Sequence, residues 1–126
     1  MQVSNAKIVL NKMSRVLIAT IQIALTSEVL ENFKAELLHN IENEFKPFLI
    51  LDFSGMDMMD ASEFENLQKI TQMAYLMGVK SYYVSLSPGI VASLIQMEVN
   101  IDKVHSALNA EEAFKFIECD TREISS

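Results

Sequence analysis

The spacing of apolar side chains divides the first half of the chain into predicted strands and a helix. Val16 to Ile23 is rich in β-branched residues, which predicts a strand. The short apolar run Lys7 to Leu10 predicts a strand beside it, with Asn11 and Lys12 as the turn. The nearly continuous apolar run Phe48 to Phe53 is typical of a strand that is buried on both faces of its sheet.

Helical periodicity separates these strands and continues after them. Apolar residues recur every three or four positions from Ser27 towards Pro47, and again from Ser62 to Met77, which predicts two amphipathic helices. Gly78 follows the second helix, where a C-terminal glycine is expected. The remaining predicted elements are a strand over Lys80 to Leu86, a helix over Gly89 to Met97 with Pro88 in its first turn, a strand over Val104 to Ala107 and a last helix capped by Asn109.

The resulting order, β-β-α-β-α-β-α-β-α, predicts an α/β fold in which helices pack on a mixed, mostly parallel sheet. The 126 residues fit a single domain over 1–126, and half of them are hydrophobic, which is enough for one core. No linker or internal repeat is visible, and only Asp120 to Ser126 is expected to be frayed.

Composition narrows the range of partners. A net charge of −7 disfavours nucleic acid and anionic membrane surfaces, because both would repel the protein. With one cysteine and two histidines, neither an internal disulfide nor a zinc site is expected. No apolar stretch is long enough to span a bilayer. No signal peptide is expected, because the first residues lack its charged start, apolar centre and small-residue cleavage site. We therefore expect a cytoplasmic protein without membrane insertion, cofactor or metal.

The sequence shows no arrangement typical of an enzyme. Asp52 ends a buried strand, as the phospho-accepting aspartate of a receiver domain does, but the acidic pair that a receiver needs after its first strand is missing. Asp57 and Asp60 are better explained as solvated loop carboxylates than as cation ligands. Neither histidine has a nucleophile and an acid nearby in sequence, and phosphate-binding glycine motifs are absent. We expect no catalytic activity.

Ser62 and the methionines before it are the most informative polar and apolar positions. Ser62 and Glu65 match a capping box, which predicts that the second helix begins within two residues of Ser62. A helix N-terminus also stabilises a phosphoryl group, so Ser62 is a candidate phosphoacceptor as well. Met56, Met58 and Met59 either fill the core or form an adaptable binding surface, and we expect one buried and the others exposed.

Two segments resemble a known family. LILDFSGMDMMDASEF, from Leu49 to Phe64, is similar to the central motif of STAS domains, the anti-sigma factor antagonist family. There a buried strand ends in Asp or Asn, and a Met-Asp-Ser-Ser-Gly type sequence opens the next helix. MAYLMGVKSYYVSLSPGIVASLIQMEV, from Met73 to Val99, resembles the stressosome branch of RsbS- and RsbR-like scaffold proteins. The resemblance covers roughly Val16 to Phe116.

This resemblance implies a STAS-like fold and a protein-binding module of a bacterial stress or sigma-factor switch. Its partners would be a serine kinase or anti-sigma-type protein and other STAS subunits, in a possible homo- or hetero-oligomer. The family's regulatory Ser or Thr follows the motif aspartate directly, but Ala61 occupies that position here, and Glu63 replaces the expected glycine. Ser93 matches a second acceptor position of the RsbR-like branch. The implied motif and partner-binding residues are Asp52, Ser54, Met56, Met58, Met59, Asp60, Ala61, Ser62 and Glu63.

The resemblance leaves an alternative function open. STAS domains also occur as subunits that regulate a transporter or bind a small ligand or lipid. A tight apolar pocket lined by Met56, Met58 and Phe64 would support that alternative.

Overall fold

The computed structural model describes residues 7–101 and 104–125, with side chains described as far as Cys119. Within these residues the order of strands and helices is the predicted one. Five strands form one sheet in the order β1-β2-β3-β4-β5, with β1 antiparallel to β2 and the other neighbours parallel. The elements are β1 Val9–Met13, β2 Val16–Thr20, α1 Ser27–Asn43, β3 Phe48–Asp52, α2 Ala61–Leu76, β4 Lys80–Val84, α3 Pro88–Gln96, β5 Ser106–Ala107 and α4 Ala110–Ser125.

The hairpin that opens the sheet turns later than predicted. Asn11 and Lys12 lie inside β1, and the turn is formed by Ser14 and Arg15, between the paired residues Met13 and Val16. Ser14 has a φ of 56°, which suits a two-residue hairpin loop. The prediction of a turn at Asn11-Lys12 was wrong because β1 is an edge strand, and polar residues on its solvent-facing side resemble turn residues.

The core lies on both faces of the sheet. Helices α1, α2 and α3 cover one face, and α4 covers the other, so β3 is buried from both sides. Leu49 and Leu51 belong to the cluster under the first three helices, whereas Phe48 and Ile50 belong to the cluster under α4. This confirms the prediction that β3 is a doubly buried strand.

Local signals at several helix ends act as predicted. Asn109 caps α4, because its Oδ1 accepts a hydrogen bond from the backbone N–H of Glu112 at 2.9 Å. Pro88 is the first residue of α3. Gly78 follows α2 with a φ of 92°, a conformation that glycine adopts without strain. Helix α4 extends to Ser125; Ser126, the last residue of the predicted frayed tail, lies outside the described residues.

The parallel strands bring the loops that follow them to one edge of the sheet, which we call the carboxyl edge, and three of these loops contact one another. These are the β2–α1 loop (21–26), the β3–α2 loop (53–60) and the β4–α3 loop (85–87). Hydrogen bonding continues past the strand ends: Ile21 N–H donates to the Asp52 carbonyl at 3.0 Å, and Phe53 N–H donates to the Val84 carbonyl at 3.1 Å. Loops at this edge commonly carry the functional residues of α/β proteins.

None of the helices in the described part of the chain is both long enough and apolar enough to span a membrane.

Candidate functional site

The β3–α2 loop starts with a tight turn that Asp52 holds in place. The Asp52 side chain accepts a hydrogen bond from Ser54 N–H at 2.9 Å, and Met56 N–H donates to the Phe53 carbonyl at 2.9 Å. A Cβ at Gly55 would lie 2.7 Å from the Cγ of Gln22, so the turn passes directly against the β2–α1 loop. Asp52 therefore shapes this loop, and Ser54 lies exposed at its tip.

The three methionines of this loop occupy different environments. Met59 is buried in the core, with 3% of its surface exposed, and Met56 packs partly buried against the same core. Met58 is 79% exposed. The expectation of one buried methionine holds, but of the other two only Met58 is largely exposed, because Met56 packs against the core. The assignment of Met59 as a partner-binding residue is wrong, because its side chain is buried. An exposed methionine in a structured loop is a candidate contact for a protein partner.

Helix α2 begins within two residues of Ser62, as predicted, but its cap is Asp60 and the predicted cap at Ser62 is wrong. Asp60 Oδ1 accepts a hydrogen bond from Glu63 N–H at 2.8 Å, and Glu63 Oε1 accepts one from Asp60 N–H at 3.0 Å. These two bonds form a capping box over Asp60 to Glu63, and α2 begins at Ala61.

Burial of apolar residues explains why the helix starts at Asp60. A cap at Asp60 places Met59 directly before it and Phe64 at the fourth helical position, and both are buried in the same core cluster. That pairing is the hydrophobic staple of a helix N-terminus. A cap at Ser62 would place Asn66, which is exposed, at the fourth position instead. The aspartate also accepts stronger, charge-assisted hydrogen bonds than a serine hydroxyl.

Ser62 therefore has a different role from the one predicted. It is exposed in the first turn of α2, and its hydroxyl donates to Asp60 Oδ1 at 2.9 Å. The N–H of Glu63 and the Ser62 hydroxyl both stabilise the ionised carboxylate, so the pKa of Asp60 is lowered. Ala61 is half-buried, with its methyl group against the core. The outer surface at this helix start thus shows a hydroxyl at residue 62 and none at residue 61.

Glu63 connects α2 to a second loop of the carboxyl edge. Its Oε2 accepts a hydrogen bond from Leu25 N–H at 3.1 Å, while Oε1 closes the capping box. The sequence showed Glu63 only as a departure from the family's glycine. The pattern Asp-x-x-Glu at residues 60–63 was the signal that could have revealed its role.

The β4–α3 loop contacts the same site through Ser87 and Gly89, which were not predicted as site residues. Ser87 caps α3 by accepting from Ile90 N–H at 3.2 Å, and its hydroxyl donates to the Asp57 carbonyl at 3.1 Å. A Cβ at Gly89 would lie 3.0 Å from that same carbonyl, so the two loops are in close contact. Ser85 adopts a φ of 60°, an uncommon conformation for a non-glycine residue. A Ser-Pro pair at a predicted helix start was the visible signal for the Ser87 cap.

Ser93, the second candidate phosphoacceptor, lies in α3, whereas the capping box is at the start of α2. It is half-buried within α3, about 9 Å along the helix axis from Ser87.

The acidic residues of the site do not form a metal centre. In residues 7–101 and 104–125, no group of three or more His, Cys, Asp or Glu side chains is placed to hold a metal ion. Asp52 instead accepts a hydrogen bond from Ser54 N–H in the loop that follows it, and Asp60 accepts one from Glu63 N–H in the first turn of α2.

The apolar pocket required by the transporter or ligand alternative does not form at Met56, Met58 and Phe64. Phe64 is fully buried, and its ring packs against Tyr83 with centroids 5.4 Å apart. Met58 points instead to solvent, as its exposure shows.

The STAS domain family model matches residues 7–113. The structure of a Ser-to-Glu variant of Moorella thermoacetica RsbS is similar, with a TM-score of 0.77 and 23% identity over 91% of this chain and 97% of that chain. A chain of the stressosome, which is described as a signal integration and transduction hub, is also similar. Its TM-score is 0.77, and it is 24% identical over 90% of this chain and 98% of that chain.

The anti-sigma factor antagonist SpoIIAA in its unphosphorylated form is also similar, with a TM-score of 0.68 and 15% identity over 88% of this chain and 96% of that chain. At these identities the structural likenesses show a shared fold. No curated protein matches the sequence.

Proposed function

This chain belongs to the STAS domain family, and we propose that it is a non-enzymatic protein-binding module of a bacterial signalling switch. It would act as an anti-sigma factor antagonist or as a stressosome-type scaffold. The observation that carries this proposal is a surface at the carboxyl edge whose three loops are joined by hydrogen bonds and on which Met58 is exposed.

The hydrogen bonds that join these loops support a role in binding. The Asp60–Glu63 capping box, the Glu63 bond to Leu25 and the Ser87 bond to Asp57 hold three loops in one arrangement. A surface that is ordered before binding loses less conformational entropy when a partner docks. Met58 then supplies apolar contact area that the protein itself does not bury.

The similar structures suggest the class of partner. SpoIIAA is described as an anti-sigma factor antagonist, and the stressosome is described as a signal integration and transduction hub. By analogy, we propose that this chain binds a serine kinase or anti-sigma-type switch protein and other STAS subunits. Such a module would work in the cytoplasm, where those partners act.

The start of α2 supports a version of the switch that stays permanently unphosphorylated at residue 61. Ala61 has no hydroxyl, and the Ser62 hydroxyl is bonded to the Asp60 carboxylate. A phosphate on Ser62 would lie beside the carboxylates of Asp60 and Glu63, which would repel it. We propose that the partner-binding face is constitutively active, with Ser93 as the remaining candidate site of phosphorylation.

Binding to an identified partner tests this function. Partners captured from the native cell would be identified, purified and titrated against three proteins: the wild type, Met58→Lys and Met13→Lys. Met13 is also exposed, at 54%, but lies in the β1–β2 hairpin at the opposite edge of the sheet. We expect Met58→Lys to weaken binding to a switch kinase, anti-sigma protein or STAS subunit at least about tenfold, and Met13→Lys to bind normally.

Circular dichroism should be the same for all three proteins, because both substituted side chains are exposed. Equal affinity of Met58→Lys and wild type would rule out the proposed surface. A set of specific partners that contained no signalling protein would rule out the proposed function.

A further inference from the structure

A cavity of about 650 Å³ opens between the second half of α2, strand β4 and the residues before β5. Its volume lies within the range of about 300–1,000 Å³ that is common for small-molecule sites. Thr71 and Tyr75 line it from α2, and Ser81 and Tyr83 line it from β4. The cavity lies along the side of α2, away from the capping box at the start of that helix, so it is distinct from the proposed partner surface.

Ser81 is the unusual residue of this cavity. Its side chain is buried, with 8% exposure, yet among the described residues its Oγ has no hydrogen-bond partner. Nearly all buried polar groups in proteins have such a partner, so an unpaired hydroxyl needs a physical reason. Ser81 precedes Tyr83 by two residues on β4, so both side chains face α2, and both line the cavity. The Ser81 hydroxyl therefore lies buried in the wall of the cavity without a hydrogen-bond partner among the described residues.

The hydrogen bonds of Thr71 decide whether the Tyr83 hydroxyl can donate to or accept from a ligand. Thr71 Oγ1 donates to the Gln68 carbonyl at 3.0 Å, and it lies 2.8 Å from the Tyr83 hydroxyl. Because the Thr71 proton is already used, Tyr83 donates its own proton to Thr71. Burial raises the pKa of Tyr83 to about 12, so the phenol stays neutral at physiological pH. Its oxygen can still accept, whereas Ser81 can both donate and accept.

The rest of the lining favours an uncharged, largely apolar occupant. Tyr75 and Leu76 form an exposed apolar rim, and Leu76 is 86% exposed. His105 also lines the cavity, and its ring lies 6.1 Å from that of Tyr82. None of the described lining residues is Asp, Glu, Lys or Arg. Among these described residues, a charged ligand would find no Asp, Glu, Lys or Arg side chain of opposite charge.

We propose that this cavity is a binding site for a small, neutral, mostly apolar molecule with a hydroxyl or carbonyl group that bonds to Ser81. The apolar part of the molecule lies against Tyr75 and Leu76. This site is independent of partner binding at the carboxyl edge, and its test does not require a partner.

Nuclear magnetic resonance of the isotopically labelled full chain tests the site with three matched probes. Benzyl alcohol has the apolar ring and the hydroxyl, toluene lacks the hydroxyl, and benzoate carries a charge. We expect benzyl alcohol to shift the signals of Ser81, Tyr83 and Thr71 with a dissociation constant on the order of 1 mM, as suits a molecule of its size. Toluene and benzoate should each bind at least about threefold more weakly. Absence of shifts at these residues, or shifts centred elsewhere, would overturn the proposal.

Two variants separate ligand recognition from a structural role of the hydroxyl. Ser81→Ala should weaken benzyl alcohol binding about fivefold without weakening toluene. Its melting temperature should not fall, because the lost hydroxyl had no partner. Leu76→Ala changes an exposed residue and should weaken both probes about twofold, whereas Ser54→Ala, at the carboxyl edge, should change neither. If Ser81→Ala binds benzyl alcohol like the wild type, the hydroxyl does not recognise ligand and the proposal fails.

Discussion

Asp60 and Glu63 each accept a hydrogen bond from the other's backbone N–H group, at 2.8 Å and 3.0 Å. The pair satisfies two N–H groups that would otherwise lack partners at the start of α2. Because Glu63 also accepts from Leu25 N–H, the same carboxylate connects α2 to the β2–α1 loop. The start of α2 is therefore determined by two acidic side chains, and Ser62 is left exposed.

Removal of the cap should destabilise the protein only when Asp60 is the residue changed. We expect Asp60→Ala to lower the melting temperature by roughly 3–6 °C, because Glu63 N–H loses its acceptor. Ser62→Ala should change it by less than about 1 °C, since that hydroxyl only adds to an already formed cap. Thermal unfolding followed by circular dichroism measures both. A larger loss for Ser62→Ala than for Asp60→Ala would show that the helix starts at Ser62 in solution.

The contribution of Asp60 should also depend on pH. The folded protein lowers the pKa of Asp60 below its ordinary value of 3.8, mainly through the Glu63 N–H and the Ser62 hydroxyl. A lowered pKa stabilises the fold above the unfolded value, and this stabilisation is lost as pH falls through the folded value. Asp60→Asn keeps a good cap without the charge. We expect the difference in melting temperature between wild type and Asp60→Asn to be constant from pH 7 to about 5 and to shrink below 3.8.

Met58 and Met59 are adjacent in the chain, but truncating them should change the free energy of unfolding by very different amounts. Met59 is buried beside the start of α2, so Met59→Ala should lower the free energy of unfolding by about 2–4 kcal/mol. Met58→Ala removes a solvent-exposed side chain and should change it by less than about 0.5 kcal/mol. Urea denaturation gives both values. Equal, small losses would mean that Met59 is not part of the core in solution.

Much of the fold could be predicted because the spacing of apolar residues along the chain indicates which side chains are buried. The order of the elements, the doubly buried β3 and the cap at Asn109 all follow from apolar spacing and local cap chemistry. The hairpin turn at Ser14 was missed because an exposed edge strand has polar residues, as a turn does. Residues 60–63 and 62–65 both match a capping box, and the burial of Met59 and Phe64, together with the charge of Asp60, favours the first.

The contacts that build the site could not be predicted from local patterns at all. Glu63 meets Leu25, and Ser87 meets Asp57, because parallel strands bring their loops to one edge. Each pair is separated by at least 30 residues in the chain. The cavity at Ser81 likewise depends on how α2 packs over β4, which the amino-acid pattern of either element does not show.

Restoring a hydroxyl at residue 61 should create a site of phosphorylation. A kinase must place the γ-phosphate of ATP in line with the acceptor oxygen, and its catalysis is mostly positioning. Ser62 lies about 100° around the helix from residue 61, and its hydroxyl is bonded to Asp60. We therefore expect a STAS-type serine kinase to phosphorylate Ala61→Ser stoichiometrically and the wild type hardly at all at residues 61 and 62. Phosphopeptide mapping after incubation with ATP measures this.

The control for that experiment is the double variant Ala61→Ser with Ser62→Ala, which should be phosphorylated as readily as Ala61→Ser alone. A separate Ser93→Ala variant of the wild type shows whether any remaining phosphate lies on α3. Phosphate at residue 61 adds close to two negative charges to the proposed partner surface, so the phosphorylated variant should bind its partner more weakly than wild type. Stoichiometric phosphate on Ser62 of the wild type would contradict a permanently unphosphorylated face and would show that the acceptor has moved by one residue.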